Sequence, residues 1–243
     1  MERSDFLIIS QARMTSSRLP GKILKEVGGK SLLGYHIERL KKTGLRIVVA
    51  TTVNHEDDAV VRFCEEEHID CVRGSETDVL SRFAEVLKCH PAKYFIRVTS
   101  DCPLIDADLI LQGVDEFIRA DHGSLYLSNC FPRTYARGFD FEIASAEMLL
   151  NASDAATDSF DREHVTPYLW KNKQGSMALR NISQDVDHSN LRVCVDTIED
   201  FRLIEILIVQ YAAHHLSYTE IESILNNHPE LVAINAMVEQ KKS

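Results

Sequence analysis

Paired cysteines are the first thing missing. The six cysteines, Cys64, Cys71, Cys89, Cys102, Cys130 and Cys194, form no CxxC pair, and none stands at metal-ligand spacing from a histidine. A zinc ribbon or a disulfide framework is therefore not expected, and the thiols read as reduced core or site-edge residues. The ten histidines form no HExxH pattern, which removes the usual signature of a histidine-bound zinc. A basic excess is also absent. The formal net charge is −10, the wrong sign for a surface that tracks nucleic acid, so any polyanionic ligand must be met by a local cluster of cations. Long apolar runs are lacking too. The longest, Leu203 to Ala213, is interrupted by Glu205 and Gln210, and a bilayer span needs about 20 apolar residues. Phe6 to Ile9 is too short for a signal-peptide core, so a cytoplasmic protein without membrane insertion is expected. There is no repeat and no low-complexity linker.

What is present is an alternation. Apolar residues make up 44% of the 243, enough for a substantial core in one domain spanning 1–243. Short β-rich runs (Phe6 to Ser10, Arg46 to Thr52, Asp70 to Arg73, Tyr94 to Val98) each precede a longer amphipathic stretch (Ser31 to Lys42, Asp57 to His68, Asp78 to Cys89, Ala107 to Arg119). Strands linked through helices imply a mostly parallel sheet covered by helices, an α/β layered fold. Ligands of such sheets gather at the carboxyl ends of the strands. The loops after Ser10, Thr52, Arg73 and Thr99 should therefore share one rim. From Ser124 the pattern loosens: a strand over Leu125 to Asn129, a turn around Pro132 to Gly138, a strand over Phe139 to Ala144 and a helical stretch from Asp158 to Lys171. Strands over Met177 to Ile182 and Leu191 to Val195 precede a helical tail from Glu199 to the end. Residues 124–187 read as an insertion that forms an acceptor pocket or a dimer surface.

The densest chemistry lies directly after the first strand, in QARMTSSRLPGK (Gln11 to Lys22). Arg13, Arg18 and Lys22, with the hydroxyls of Thr15, Ser16 and Ser17, are suited to a triphosphate: arginine forks two phosphate oxygens, and lysine supplies a compact charge. The glycine spacing of a Walker loop or of GxGxxG is absent, which disfavours hydride transfer. An exposed basic loop making surface ion pairs is the plainer alternative.

QARMTSSRLPGKIL resembles the N-terminal signature of the cytidylyltransferases that activate sugar acids, the 3-deoxy-manno-octulosonate (Kdo) cytidylyltransferases and the spore coat polysaccharide biosynthesis protein F group. SDCPLID (Ser100 to Asp106) resembles their acidic metal motif, REHVTP (Arg162 to Pro167) a block of the spore coat group, and VDTIEDF (Val195 to Phe201) their second acidic motif. Four blocks in order cover about 190 residues. The resemblance implies a nucleotide-diphospho-sugar transferase-like fold and the transfer of CMP from CTP to a small acidic sugar or sugar-like acceptor, with release of pyrophosphate. It also implies a homodimer.

The roles implied are these. Gln11, Ala12, Arg13, Ser16, Ser17, Arg18, Lys22, Arg82, Ser100 and Asp101 bind the nucleotide, with Arg13, Lys22 and Asp101 catalytic. Asp101 and Asp196, each ending a strand, hold magnesium, which takes oxygen ligands from protein, phosphate and water. Helix or turn capping explains either carboxylate equally well from residue type alone. Some sialic-acid enzymes of the superfamily carry a further aspartate where this chain has Cys194. Arg137, Asp140, Glu142, Arg162 and His164 line the acceptor pocket, with Gly138 allowing a close backbone approach. For Arg82 a helix-surface pairing with Glu85 or Asp78 is the competing reading. His164 is either a general base or a packed residue, and Arg133 either meets an acceptor carboxylate or lies in a solvated turn. Rival activities are cytidylyl transfer to a phosphonate or polyol phosphate, a nucleotide-sugar glycosyltransferase and a non-catalytic scaffold.

Overall fold

The computed structural model describes residues 1–120, 123–173, 175 and 177–239. Strand β1 (Phe6–Gln11) is apolar on both faces, as a strand between two layers must be. A short ribbon of β2 (Glu26–Val27) and β3 (Lys30–Ser31) leads into α1 (Leu32–Lys41). Then follow β4 (Arg46–Thr52), α2 (Asp58–Glu66), β5 (Asp70–Gly74), α3 (Val79–Cys89), β6 (Tyr94–Thr99) and α4 (Ala107–Ala120). The later elements are β7 (Leu125–Ser128), β8 (Glu142–Ser145), α5 (Ala146–Ala155), α6 (Ser159–His164), α7 (Pro167–Trp170) and β9 (Ala178–Asn181), then α8 (Ile198–Tyr211), α9 (Tyr218–Asn227) and α10 (Pro229–Ala233).

The sheet runs β5-β4-β1-β6-β8-β7-β9. The first four strands in that order are parallel, β8 is antiparallel to both β6 and β7, and β9 is parallel to β7. The expected mostly parallel α/β sheet is what forms. Alternation along β1 sends Phe6 and Ile8 into a core with α1, α4 and α8, and Leu7 and Ile9 into a second core with α3 and α5. Helix starts follow their caps: Ser31, Asp78, Ser145, Asp158, Thr197 and Ser217 each accept from a backbone N–H of the first turn. No helix among the described residues is long and apolar enough to cross a membrane.

Four expectations need correction. Leu191 to Val195 is not a strand; it lies beside the Arg137 turn, bonded through Arg137 N–H to Leu191 O (3.0 Å) and Val193 N–H to Arg137 O (2.7 Å). The strand expected from Phe139 begins only at Glu142, because the Asn129 side chain takes over the backbone pairing: its amide donates to Phe139 O and its carbonyl accepts from Phe141 N–H. The stretch Asp158 to Lys171 is two short helices, broken where Val165 turns to positive φ ahead of Pro167. Helix α5 was not expected at all, and the tail breaks at Ala212 and His228, its last residues 240–243 lying outside the described ones. In the region 124–187 the three strands β7, β8 and β9 join the main sheet.

Candidate active site

Loops at the carboxyl ends of β1, β4, β5 and β6 meet on one rim, as expected. Asp57, fully buried, ties two of them: its Oδ1 accepts from Met14 N–H at 2.6 Å, and its Oδ2 accepts from the Thr52 hydroxyl. Glu76 in the third loop accepts from Thr15 Oγ1 and, at 2.7 Å, from Asn54 Nδ2. Within the Gln11–Lys22 loop, Ser16 and Gly21 N–H both bond Met14 O at 2.9 Å, and Gly21 takes φ +68° just before Lys22. That left-handed turn suits glycine. The loop is a closed, pinned structure rather than an exposed tail of charge.

Its end is the centre of the site. Lys22 Nζ, nearly buried, donates to Asp101 Oδ2 at 2.7 Å and to Asp196 Oδ1 at 2.8 Å. Arg18 Nη2 and Arg192 Nη2 reach Asp196 Oδ2 at 2.8 and 2.6 Å. Burial pulls the Lys22 pKa down, but the two carboxylates beside it outweigh that and raise it, so the ammonium stays charged. Burial likewise pushes the Asp101 carboxyl up; Lys22, with Thr99 Oγ1 donating to Oδ1 at 2.6 Å, overcomes this and holds it at about 2. Asp101 follows β6 as expected. Asp196 does not end a strand. Val195 N–H bonds to Asp101 O at 2.8 Å, and this link carries Asp196 to its place.

The two carboxylates fit a divalent cation in one respect that can be checked: oxygens from separate segments already converge on a single positive charge. Among the described residues no group of three or more His, Cys, Asp or Glu is disposed as a cage. Asp101 and Asp196 would be the residues to hold a magnesium ion here, which takes oxygen donors and draws the rest of its shell from phosphate and water.

Two cavities meet at this cluster. The first, about 210 Å³, is lined by Gln11, Ala12, Arg13, Ser16, Ser17, Arg18, Lys22 and Arg82 among others. The second, about 370 Å³, runs toward Arg137, Asp140 and Glu142. Arg13, Arg18, Arg97, Asp101, Glu163, His164 and Asp196 border both.

Several expected residues stand otherwise than read. Ser100 lines neither cavity; it is buried with its hydroxyl 2.8 Å from Ser10 Oγ, which in turn meets His36 Nε2 at 2.8 Å. Arg162 also lines neither. It is spent on Asp78 (Nε to Oδ2, 2.8 Å) and on the Ser153 and Ala156 carbonyls, fastening α6 to the cap of α3. Glu142 borders the second cavity, yet its oxygens serve Arg97, Tyr126 and Thr166. Asp140 is paired with Arg133, whose side chain is largely buried rather than in a solvated turn. Arg82 is no surface residue: it is 2% exposed, bonds Ser75 O, and its Nε is buried without a hydrogen-bond partner among the described residues. Burial, with Arg13 nearby, lowers its pKa to about 10. Gly74 permits this, since a Cβ there would stand 2.9 Å from Arg82 Cγ. His164 closes α6 against Phe160, and burial lowers its pKa. Gly138 takes φ +111°, and a Cβ there would lie 2.8 Å from the Cys194 nitrogen, so the expected close approach is real.

Sequence reading missed Arg97, a cation on β6 that borders both cavities and contacts Gln11 Oε1 at 3.2 Å. A charged residue inside the otherwise apolar run YFIRVT was the available signal. It also missed Asp57 and Arg192.

Comparison with known proteins falls in with this geometry. The cytidylyltransferase family model matches residues 7–241. The spore coat polysaccharide biosynthesis protein SpsF of Bacillus subtilis is 30% identical over 240 residues, covering 93% of this chain and 96% of that protein. A cytidylyltransferase structure from Leptospira borgpetersenii serovar Hardjo-bovis is 29% identical, with a TM-score of 0.87 over 98% of this chain and 99% of that one. The structure of CMP:2-keto-3-deoxy-manno-octonic acid synthetase, 18% identical with a TM-score of 0.61 over 85% and 99%, shares the nucleotide-diphospho-sugar transferase-type fold.

Proposed function

This chain belongs to the cytidylyltransferase family and is a CTP-dependent nucleotidyltransferase; we propose that it transfers CMP to an acidic sugar, giving a CMP-sugar and pyrophosphate for surface-polysaccharide assembly. The observation that carries this is the wall of cations and carboxylates, Arg13, Arg18, Asp101 and Asp196, common to the first cavity, which the cationic loop lines, and a larger second one. Two substrates placed on either side of one wall meet there, and holding them aligned removes much of the entropic barrier.

In this reading CTP fills the first cavity. Arg82, which lines this cavity, is assigned to the base. Arg13, Arg18 and Lys22 take the phosphate oxygens. Lys22 exchanges its two carboxylate partners for the triphosphate, while Asp101 and Asp196 are left to hold magnesium, which when bound would neutralise charge on the phosphate oxygens. The acceptor hydroxyl, in the second cavity, attacks the α-phosphorus in line. The new P–O bond forms as the bond to the bridging oxygen breaks, and pyrophosphate leaves toward the cationic loop. His164, kept neutral at pH 7 by its lowered pKa, stands at the shared boundary and can accept the hydroxyl proton. Arg137 is the cation of the second cavity with no carboxylate partner of its own among the ion pairs of the described residues, and it is assigned to the acceptor's acid group. The SpsF relative, named for polysaccharide biosynthesis, supports a sugar acceptor.

The test is direct: incubate the protein with each nucleoside triphosphate, magnesium and a panel of acidic sugars, and weigh the products. CMP-sugar with pyrophosphate is expected; transfer from a pre-formed nucleotide sugar with CTP untouched contradicts the reading. Lys22→Ala should lower the rate about a hundredfold, on the order of 3 kcal/mol of transition-state stabilisation. Unchanged turnover would remove Lys22 from the mechanism.

A further inference from the structure

The second cavity carries two chemically different kinds of lining. One is the cationic wall already described. The other is aromatic: Phe131 and Trp170 lie with ring centroids 5.2 Å apart and planes inclined by 34°, and both line the cavity together with Phe160, which lies against His164, and Pro167. We infer that this aromatic lining is a subsite for a hydrocarbon group, so that the acceptor carries an apolar substituent, an acyl methyl or a deoxy-sugar methyl, in addition to its acid group. The inference rests on the reading of this cavity as the acceptor site.

Three observations bear on it. Phe131 is 55% exposed and lies against the Trp170 ring, so the cavity presents a paired aromatic surface rather than one scattered apolar side chain. Its position is not that of a loose loop. Asn181 holds the backbone on both sides, accepting from Phe131 N–H at 2.9 Å and donating to Pro132 O at 2.9 Å, so the ring is presented in a fixed place. Finally, the cations beside the rings already have carboxylate partners. Lys171 Nζ, 4.2 Å from the Phe160 ring centroid and 5.4 Å from that of Trp170, meets Asp161 at 3.4 Å, and Arg133, bridged through its backbone to Cys130, is paired with Asp140. A hydroxyl set against such a wall loses its water partners without replacement, whereas a methyl gains contact. The polar and apolar linings together would orient the acceptor, with its acid toward Arg137 and its hydrocarbon toward Phe131.

Trp170 is the chain's only tryptophan, so its fluorescence reports occupancy of this subsite without requiring turnover. Acidic sugars are titrated in matched pairs, N-acetyl against free amine and 6-deoxy against 6-hydroxy, with the full chain, and pyrophosphate release is measured on the same pairs. The pair that responds distinguishes an acyl from a deoxy methyl. The member bearing the hydrocarbon should shift the Trp170 emission and be favoured by about 10–200-fold in kcat/KM, and Phe131→Ala should narrow that ratio to within about threefold while the KM for CTP is kept. The conservative Phe131→Tyr should restore the ratio. Equal response to both members of every pair, no Trp170 response to any hydrocarbon-bearing acid, or a preference that survives Phe131→Ala overturns the inference. Calorimetric binding of CTP, which does not involve Phe131, is measured alongside: its loss strikes the cytidylyltransferase reading, while its retention with any of the overturning results strikes this inference alone.

Discussion

The imidazole of His36 shows what a single side chain contributes beneath the site. It is fully buried in α1, Nε2 2.8 Å from Ser10 Oγ and Nδ1 donating to Cys102 O at 2.8 Å, so it fixes the turn that carries Asp101. Burial lowers its pKa to about 4. Because the folded value lies below the ordinary 6.5, the unfolded chain binds a proton that the native chain refuses between these values, and stability falls as pH drops through that window. Denaturant midpoints should therefore correspond to a loss of about 2 kcal/mol between pH 7 and pH 5. His36→Asn should show a smaller fall; an equal fall would mean that other groups are responsible. Asp101 acts in the same sense at lower pH: its depressed pKa contributes stability that is complete above about 4 and disappears toward 2. None of the His36 arrangement was legible in the sequence, where a histidine among apolar residues in a helix has no marked partner. Arg18, Lys22 and Asp101 were picked out because they stand in the QARMTSSRLPGK and SDCPLID blocks, since residue type alone left ion pairs or a cap equally open; the structure brings the three into one cluster. Arg162 was misread for the same reason, since a charged residue in a matching block can equally serve a helix cap.

At the scale of elements, the phosphate loop depends on a residue outside it. Asp57 accepts from Met14 N–H and from Thr52, so Asp57→Ala would strand a buried donor and cost about 1–3 kcal/mol. CTP affinity should weaken in parallel, measured by calorimetry; a variant destabilised yet with unaltered CTP binding would show that the loop holds its shape alone. Gly138 ties the acceptor turn to the Val193–Cys194 backbone, and Gly138→Ala combines a positive φ with a clash at 2.8 Å. It should lower thermal stability by roughly 2 kcal/mol. The parallel strands were readable because two-sided burial leaves continuous apolar runs, as in β1 and β4. Leu191 to Val195 carries the same composition, and composition alone does not reveal that it lies against the Arg137 turn instead of the sheet. Asn129 substituting for a ladder is another tertiary choice that leaves no periodic trace.

For the molecule as a whole, seven strands and two cores serve to bring one rim together. Segments at residues 11–22, 97–101 and 192–196, distant along the chain, meet because β1 and β6 are neighbours and because Val195 bonds to Asp101 O. The sequence motifs named the participants, but their meeting follows from strand order, which no local pattern states. The central claim is that Lys22 and Asp101 act on one and the same triphosphate. A double-mutant cycle in CTP affinity tests this most directly, with the wild type, Lys22→Met, Asp101→Asn and the double variant titrated by calorimetry in magnesium. The account predicts that each single change weakens CTP binding and that the double change departs from their sum by at least about 0.5 kcal/mol; CTP heats identical in all four proteins, or strictly additive losses, would contradict it.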